Sequence, residues 1–315
     1  MGMSRVAAID CGTNSIRLLV ADVVQGRLYD VHREMRIVRL GQGVDATGCF
    51  DPAALDRVRV ALADYTALLR FHNVERVRMV ATSAARDVDN RDAFFAMTAD
   101  VLGAVLPGAA AEVITGAEEA ALSFRGAVNE LASVEGPFVV VDLGGGSTEI
   151  VLGDAEGVQA SVSVDVGCVR LTERFLLSDP PTAAELAGAR ALVRERLRNA
   201  LHVVPVERAR AWIGLAGTMT TLSALAQNMT AYDPAAIHLS RIGSDQLLAV
   251  CERLIAMSRQ QRAALPPMHA GRVDVIGGGA IVVEELVHEL RTRAGITELI
   301  VSEHDILDGI AASLG

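Results

Sequence analysis

The stretch VVVDLGGGSTEIVLG, residues 139–153, constrains the fold more than any other part of the chain. A run of β-branched residues ends on Asp142, three glycines and a Ser-Thr pair follow, and Glu149 opens a second apolar run. This pattern predicts strand, tight turn, strand. Glycines bring the backbone within hydrogen-bonding range of a ligand and take positive φ, so that successive N–H groups line one concavity suited to phosphate. Two carboxylates beside such a nest can hold a divalent cation, because hard cations take oxygen ligands and Mg²⁺ usually shares them with substrate phosphates. A glycine hairpin with solvated acids has the same local pattern, so one copy alone leaves both readings open.

There are two copies. VAAIDCGTNSIRLLVAD near the N-terminus overlays the central stretch at a fixed offset, with Asp10 on Asp142, Gly12 on Gly144, Asn14 on Gly146 and Ser15 on Ser147. The offset is far too long for a solenoid repeat, so one unit is duplicated, one copy per domain. The expected phosphate loops are Gly12, Thr13, Asn14 and Ser15 in the first domain, and Gly144, Gly145, Gly146, Ser147 and Thr148 in the second, facing each other across an interdomain cleft. Where the second copy has Glu149, the first has Arg17. The carboxylate suits a metal and the guanidinium a phosphate oxygen. The expected metal ligands are Asp142 and Glu149, with Asp10 as a helper and Mg²⁺ or Mn²⁺ as the ion.

At 315 residues and 51% hydrophobic, the chain can bury two domain cores. We place them at 1–124 with 302–315, and at 125–301. The net charge is −10 and no basic stripe is visible, which argues against nucleic acid or membrane lipid as partner. Cys11, Cys49, Cys168 and Cys251 are far apart and read as reduced thiols. The first strand starts almost at once, leaving no room for a signal peptide, and no uncharged apolar run reaches membrane-spanning length. A cytoplasmic protein is expected.

Along the chain, a third strand is expected over Leu28–Leu40, then a glycine-rich loop and a helix from Pro52 capped by Asp51. Strand Val77–Ala81 delivers Thr82 to Arg86 beyond its carboxyl end, where open α/β sheets place ligand groups. Arg86 can clamp phosphate there or pair with Asp87 or Asp89. Strand Glu112–Ile114 leads into the helix carrying Glu118 and Glu119. With Ala117, Ala120, Ala121 and Phe124 as its apolar face, Glu119 lies nearly opposite and Glu118 to the side. Thr182 and Glu185 form a capping box. Arg190, Arg194 and Arg198 lie four apart on one helix, as a solvated face or a polyanion stripe. Gly217 to Thr220 reads as a loop opening a helix and a third anion site. Residues 228–241 read as polar loop. Val273–Ile276 reads as a strand, and Gly277 to Gly279 as a loop for tight packing or for a base. A closing helix is expected from Ser302.

The paired D-x-G-x-x-S hairpins resemble the phosphate loops of the actin, sugar-kinase and heat-shock-chaperone superfamily. The wording of the loops resembles the exopolyphosphatase and guanosine pentaphosphate phosphatase family, as do ATSAARD, ITGAEEA, VGCVRL, GLAGTMTTL, GGGAIVVEEL and VSEHDILDGI. The resemblance runs from about Arg5 to the C-terminus. It implies an α/β fold of two duplicated actin-like, ribonuclease H-like domains with mixed sheets. It also implies hydrolysis of terminal phosphoanhydrides by metal-assisted in-line water attack, with Glu119 orienting the water and Arg17 and Arg86 on phosphate oxygens. Polyphosphate and guanosine pentaphosphate or tetraphosphate are the implied ligands, and a homodimer is expected. Longer family members continue into helical domains, so short polyphosphate chains are the expected substrate. A guanosine pentaphosphate phosphatase, a superfamily kinase and a non-hydrolytic sensor are the rival readings.

Overall fold

The computed structural model describes residues 4–86, 88–128, 131 and 136–315. The chain divides into two compact units, Met1–Gly126 with Ile306–Gly315, and Ala127–Asp305.

In the first unit, β1 (Ser4–Cys11), β2 (Ser15–Val24) and β3 (Arg27–Ile37) form an antiparallel meander. β4 (Arg76–Ala81) and β5 (Ala111–Val113) add in parallel on the far side of β1, giving the order β3-β2-β1-β4-β5. Successive side chains point to opposite faces of a strand, and the two faces fill two cores. Ala7, Ile9 and Cys11 pack with Leu62, Tyr65 and Phe94 from the helices Pro52–Phe71 and Arg91–Gly103. Val6 and Ala8 pack on the other face with Leu122, Ile306, Leu307 and Ile310. The helix Pro52–Phe71 starts where expected, with the Asp51 carboxylate accepting the Ala53 N–H at 2.7 Å.

The closing helix Ile306–Ala312 starts four residues after Ser302 and docks by two devices. Arg33 on β3 makes a two-pronged ion pair with buried Asp308, at 2.5 and 3.2 Å. Gly309 meets the helix Gly116–Val128 so closely that a Cβ there would lie 2.1 Å from the Leu122 carbonyl oxygen.

The second unit repeats the plan. β6 (Phe138–Leu143), β7 (Thr148–Asp154) and β8 (Gly157–Val164) form the meander, and β9 (Ala211–Leu215) and β11 (Glu298–Val301) add in parallel beyond β6. β10 (Ser240–Gly243) completes the order β10-β11-β9-β6-β7-β8. Register shifts fall between Val20 and Ala21 in the first meander and between Leu152 and Gly153 in the second. These positions overlay at the offset that matches Asp10 to Asp142, so the duplication extends to a β-bulge. This strand order, run twice with mixed sheets, is the ribonuclease H-like plan of actin-type domains.

Some sequence expectations need correction. Val273–Ile276 is not a strand: Ala270–Arg272 is a single 3₁₀ turn and a helix runs from Ile276 to Ala294. A short apolar run does not by itself separate strand from buried helix. Gly277 to Gly279 therefore sit in the first helical turn, not in a loop. They are there for packing, since a Cβ on Gly278 would lie 2.5 Å from Thr172 Oγ1 and one on Gly279 2.6 Å from Thr218 Oγ1. Residues 228–241 include a short helix, Pro234–Ile237, and the start of β10. The Thr182–Glu185 capping box is present, and the Thr182 backbone N–H holds the Glu185 carboxyl down to about 2. No helix among the described residues is long and apolar enough to cross a membrane.

Candidate active site

Both loops close with the same hydrogen bond. The Gly12 N–H donates to the Ser15 carbonyl at 2.9 Å, and the Gly144 N–H to the Ser147 carbonyl at 3.0 Å. In each loop the carbonyls on one side are then tied down. Asn14 O accepts the Val38 and Arg39 N–H groups, and Thr13 O accepts that of Gly41. Gly144 O accepts the Cys168 N–H, while Gly145 O accepts those of Val169 and Arg170, at the start of the helix Cys168–Phe175. In a planar trans peptide, C=O and the following N–H point opposite ways. The N–H groups of Asn14 and Ser15, and of Gly145 and Gly146, are thereby turned to the other side, as an anion nest requires.

The nests do not use positive φ, contrary to expectation: among the described residues no glycine of either loop adopts it. Close approach demands glycine at the positions packed against the loops rather than at Gly12, where a Cβ would lie 3.6 Å from Ser15 O. A Cβ on Gly167 would lie 2.4 Å from the Gly145 carbonyl, and one on Gly41 2.3 Å from Thr13 Cγ2. Two hydroxyls of the expected set also serve the scaffold. Thr148 Oγ1 donates to Val166 O at 2.6 Å, and Thr13 Oγ1 shares a 3.1 Å bond with Ser83 Oγ.

The acidic positions follow from strand register. Asp10 pairs across the ladder with Arg17, and Asp142 with Glu149. In the first unit that pair is an ion pair, with Arg17 Nε and Nη2 donating to Asp10 Oδ2 at 3.0 and 2.7 Å. In the second unit two carboxylates stand side by side, Asp142 8% and Glu149 1% exposed. Glu149 Oε1 accepts the hydroxyls of Ser147 and Ser163, each at 2.7 Å. Among the described residues no three or more His, Cys, Asp or Glu side chains gather to hold a metal. The oxygen donor set is thus two carboxylates. It fits an ion such as Mg²⁺, which takes one or two carboxylates and completes its shell with phosphate oxygens and water.

Glu119, expected opposite the apolar face of its helix, is instead buried, 7% exposed. Ala117 and Ala121 are the exposed ones. Glu119 Oε2 accepts from Arg86 Nη1 at 2.8 Å, and the same nitrogen donates to Ile114 O at 3.1 Å. Arg86 thus takes its carboxylate from the helix Gly116–Val128; Asp87 lies outside the described residues. Glu118 turns outward to Arg78, at 2.6 Å.

Comparison with known proteins places this geometry. The model of the Ppx/GppA phosphatase family matches residues 19–314. The chain belongs to the Ppx/GppA phosphatase family. It is 74% identical over 318 residues to exopolyphosphatase 2 of Mycobacterium tuberculosis, covering 100% of this chain and 99% of that protein. The crystal structure of an exopolyphosphatase-like protein superposes with a TM-score of 0.94 at 38% identity, covering 100% of this chain and 98% of that one. The Ppx/GppA family member of Aquifex aeolicus superposes with a TM-score of 0.79 at 29% identity, covering 99% and 98%.

Other features of this Ppx/GppA chain narrow its chemistry. Burial pushes the Cys11 thiol up, and the Cys168 thiol to about 11, so neither is a thiolate nucleophile at neutral pH. Gly217 to Thr220 lie in the first turn of the helix Ala216–Ala226 rather than in a loop before it, with the Arg272 guanidinium against Gly217. Arg272 Nη1 donates to Gly217 O at 3.0 Å and to Thr221 Oγ1 at 2.9 Å. Arg190 and Arg194 pair with Glu284 and Glu285, so they form no stripe for a polyanion. Sequence reasoning missed Ser163, Gly41 and Gly167. Gly167 lies in VGCVRL, but its need for close approach depends on a contact with Gly145 that no local pattern encodes. Ser163 is visible only through cross-strand register.

Proposed function

We propose that the chain is a cytoplasmic exopolyphosphatase that removes the terminal phosphoryl group of short inorganic polyphosphate chains. Full-length 74% identity to a protein named exopolyphosphatase 2 carries this reading and favours it over guanosine pentaphosphate hydrolysis. The backbone N–H groups of residues 12–15 and 144–148 bind phosphoryl oxygens, with Arg17 and Arg86 neutralising charge. Asp142 and Glu149 hold Mg²⁺ or Mn²⁺. Asp10 is a helper at the metal and also holds the Arg17 guanidinium. The bound ion supplies charge neutralisation on the phosphoryl oxygens. Glu119 orients and accepts a proton from the water that attacks the terminal phosphorus; the bridging P–O bond breaks, the chain shortened by one unit is the leaving group, and the attacked phosphoryl group becomes inorganic phosphate. Positioning and electrostatics suffice for such a transfer, with no covalent intermediate. The working assembly is a homodimer.

The test is phosphate release from tripolyphosphate and from guanosine pentaphosphate, with Mg²⁺ and with excess chelator. Metal-dependent release that is faster from tripolyphosphate is expected. Release unaffected by chelator removes Asp142 and Glu149 from the metal role, and faster release from the nucleotide overturns the substrate assignment.

A further inference from the structure

Asp142, Glu149 and Ser163 occupy one row across three adjacent strands. Asp142 on β6 is the ladder partner of Glu149 on β7, and Glu149 is in turn the partner of Ser163 on β8. The corresponding row of the first unit reads Asp10, Arg17, Met35. A hydroxyl thus stands beside the central position only where that position is a carboxylate.

Two carboxylates directly opposed on neighbouring strands repel. Glu149 is also almost wholly out of water, so its charged form needs donors. The hydroxyls of Ser147 and Ser163 are among them, converging at 2.7 Å on the same oxygen, Oε1. That is the short range of charge-assisted O–H···O⁻ bonds. Ser147 belongs to the phosphate loop, and its bond ties the carboxylate to that loop. Ser163 lies in β8, and its bond ties the carboxylate to the sheet. One hydroxyl couples Glu149 to the ligand loop, and the other anchors it to the neighbouring strand.

We propose that Ser163 is a positioning residue that presents Glu149 to the divalent cation, rather than a residue that touches metal or substrate itself. This rests on the reading of Glu149 as a metal ligand. Outer-shell partners of metal-binding carboxylates typically contribute about 10–100-fold in metal affinity.

The experiment measures Mn²⁺ binding to the substrate-free protein by electron paramagnetic resonance, alongside the melting temperature, for wild type, Ser163→Ala, Ser163→Thr and Glu149→Gln. Expected are Mn²⁺ binding weakened by about tenfold or more in Ser163→Ala, recovery in Ser163→Thr, which keeps the hydroxyl and suits a strand, and loss in Glu149→Gln. Wild-type Mn²⁺ affinity in Ser163→Ala, with Glu149→Gln still defective, overturns the role of Ser163 and leaves the metal site standing. A defect that Thr does not restore, or that follows a fall in melting temperature, assigns Ser163 to folding and also overturns it. Wild-type binding in Glu149→Gln overturns the ligand reading and this inference together.

Discussion

Glu118 and Glu119 are neighbours in sequence with opposite environments. Glu118 is exposed and reaches Arg78, while Glu119 is buried and held by Arg86. An exposed ion pair is worth little. Glu119, buried and held by Arg86, is the carboxylate to which the proposed function assigns the attacking water. Glu119→Gln keeps size but removes the proton acceptor, and general-base contributions are about two to four powers of ten. Phosphate release by Glu119→Gln is therefore expected to fall by that order with substrate affinity kept or improved, whereas Glu118→Gln should change turnover by less than about threefold, as befits an exposed pair. Equal losses in the two variants would place the catalytic carboxylate elsewhere. The sequence shows which glutamate to test only through family resemblance. Helical periodicity found part of the buried face, Ala120 and Phe124, but missed that Ala117 and Ala121 are small enough to sit in water while Glu119 is buried against Arg86 from a distant segment.

At the scale of elements, the helix carrying Glu119 is held by its crossing with the closing helix. Gly309 approaches Leu122, one turn beyond Glu119, and a Cβ there would meet backbone, which cannot swing aside as a side chain can. Gly309→Ala should force the helices apart and destabilise the protein by about 1–3 kcal/mol, the usual cost of overpacking. Urea unfolding measures this; an unchanged midpoint would mean that the crossing is free to slide. Phosphate release from the folded fraction should fall as well, because the displaced helix carries Glu119. The elements themselves were largely legible. The duplicated hairpins, the Asp51 cap and the Thr182–Glu185 box are local patterns with local causes. The helix crossing was not legible, since Gly309 and Leu122 meet only after the chain has run through the whole second unit. Val273–Ile276 misled for a different reason: the run is too short for a period to distinguish strand from helix, and of its apolar residues only Ile276 is buried.

For the molecule as a whole, the net charge bears on which phosphate chains the proposed exopolyphosphatase prefers. The net charge is −10, and Arg190 and Arg194, the nearest thing to a basic stripe, are neutralised by Glu284 and Glu285. A short polyphosphate fits within the local field of the loops. A long one also meets the field of a chain whose net charge is negative, which opposes its binding. That repulsion is screened over about 10 Å at 0.1 M salt and about 3 Å at 1 M. The ratio of kcat/KM for tripolyphosphate to that for chains of about a hundred phosphates should therefore exceed one at low ionic strength and shrink as a neutral salt is added. Oligomeric state should be measured in the same solutions, because a dimer that changes with salt would alter the surface met by a long chain. A ratio that stays constant with salt would assign chain-length preference to shape rather than charge. A preference for long chains at low salt would mean that some surface attracts the polyanion despite the net charge, and would remove the electrostatic argument altogether.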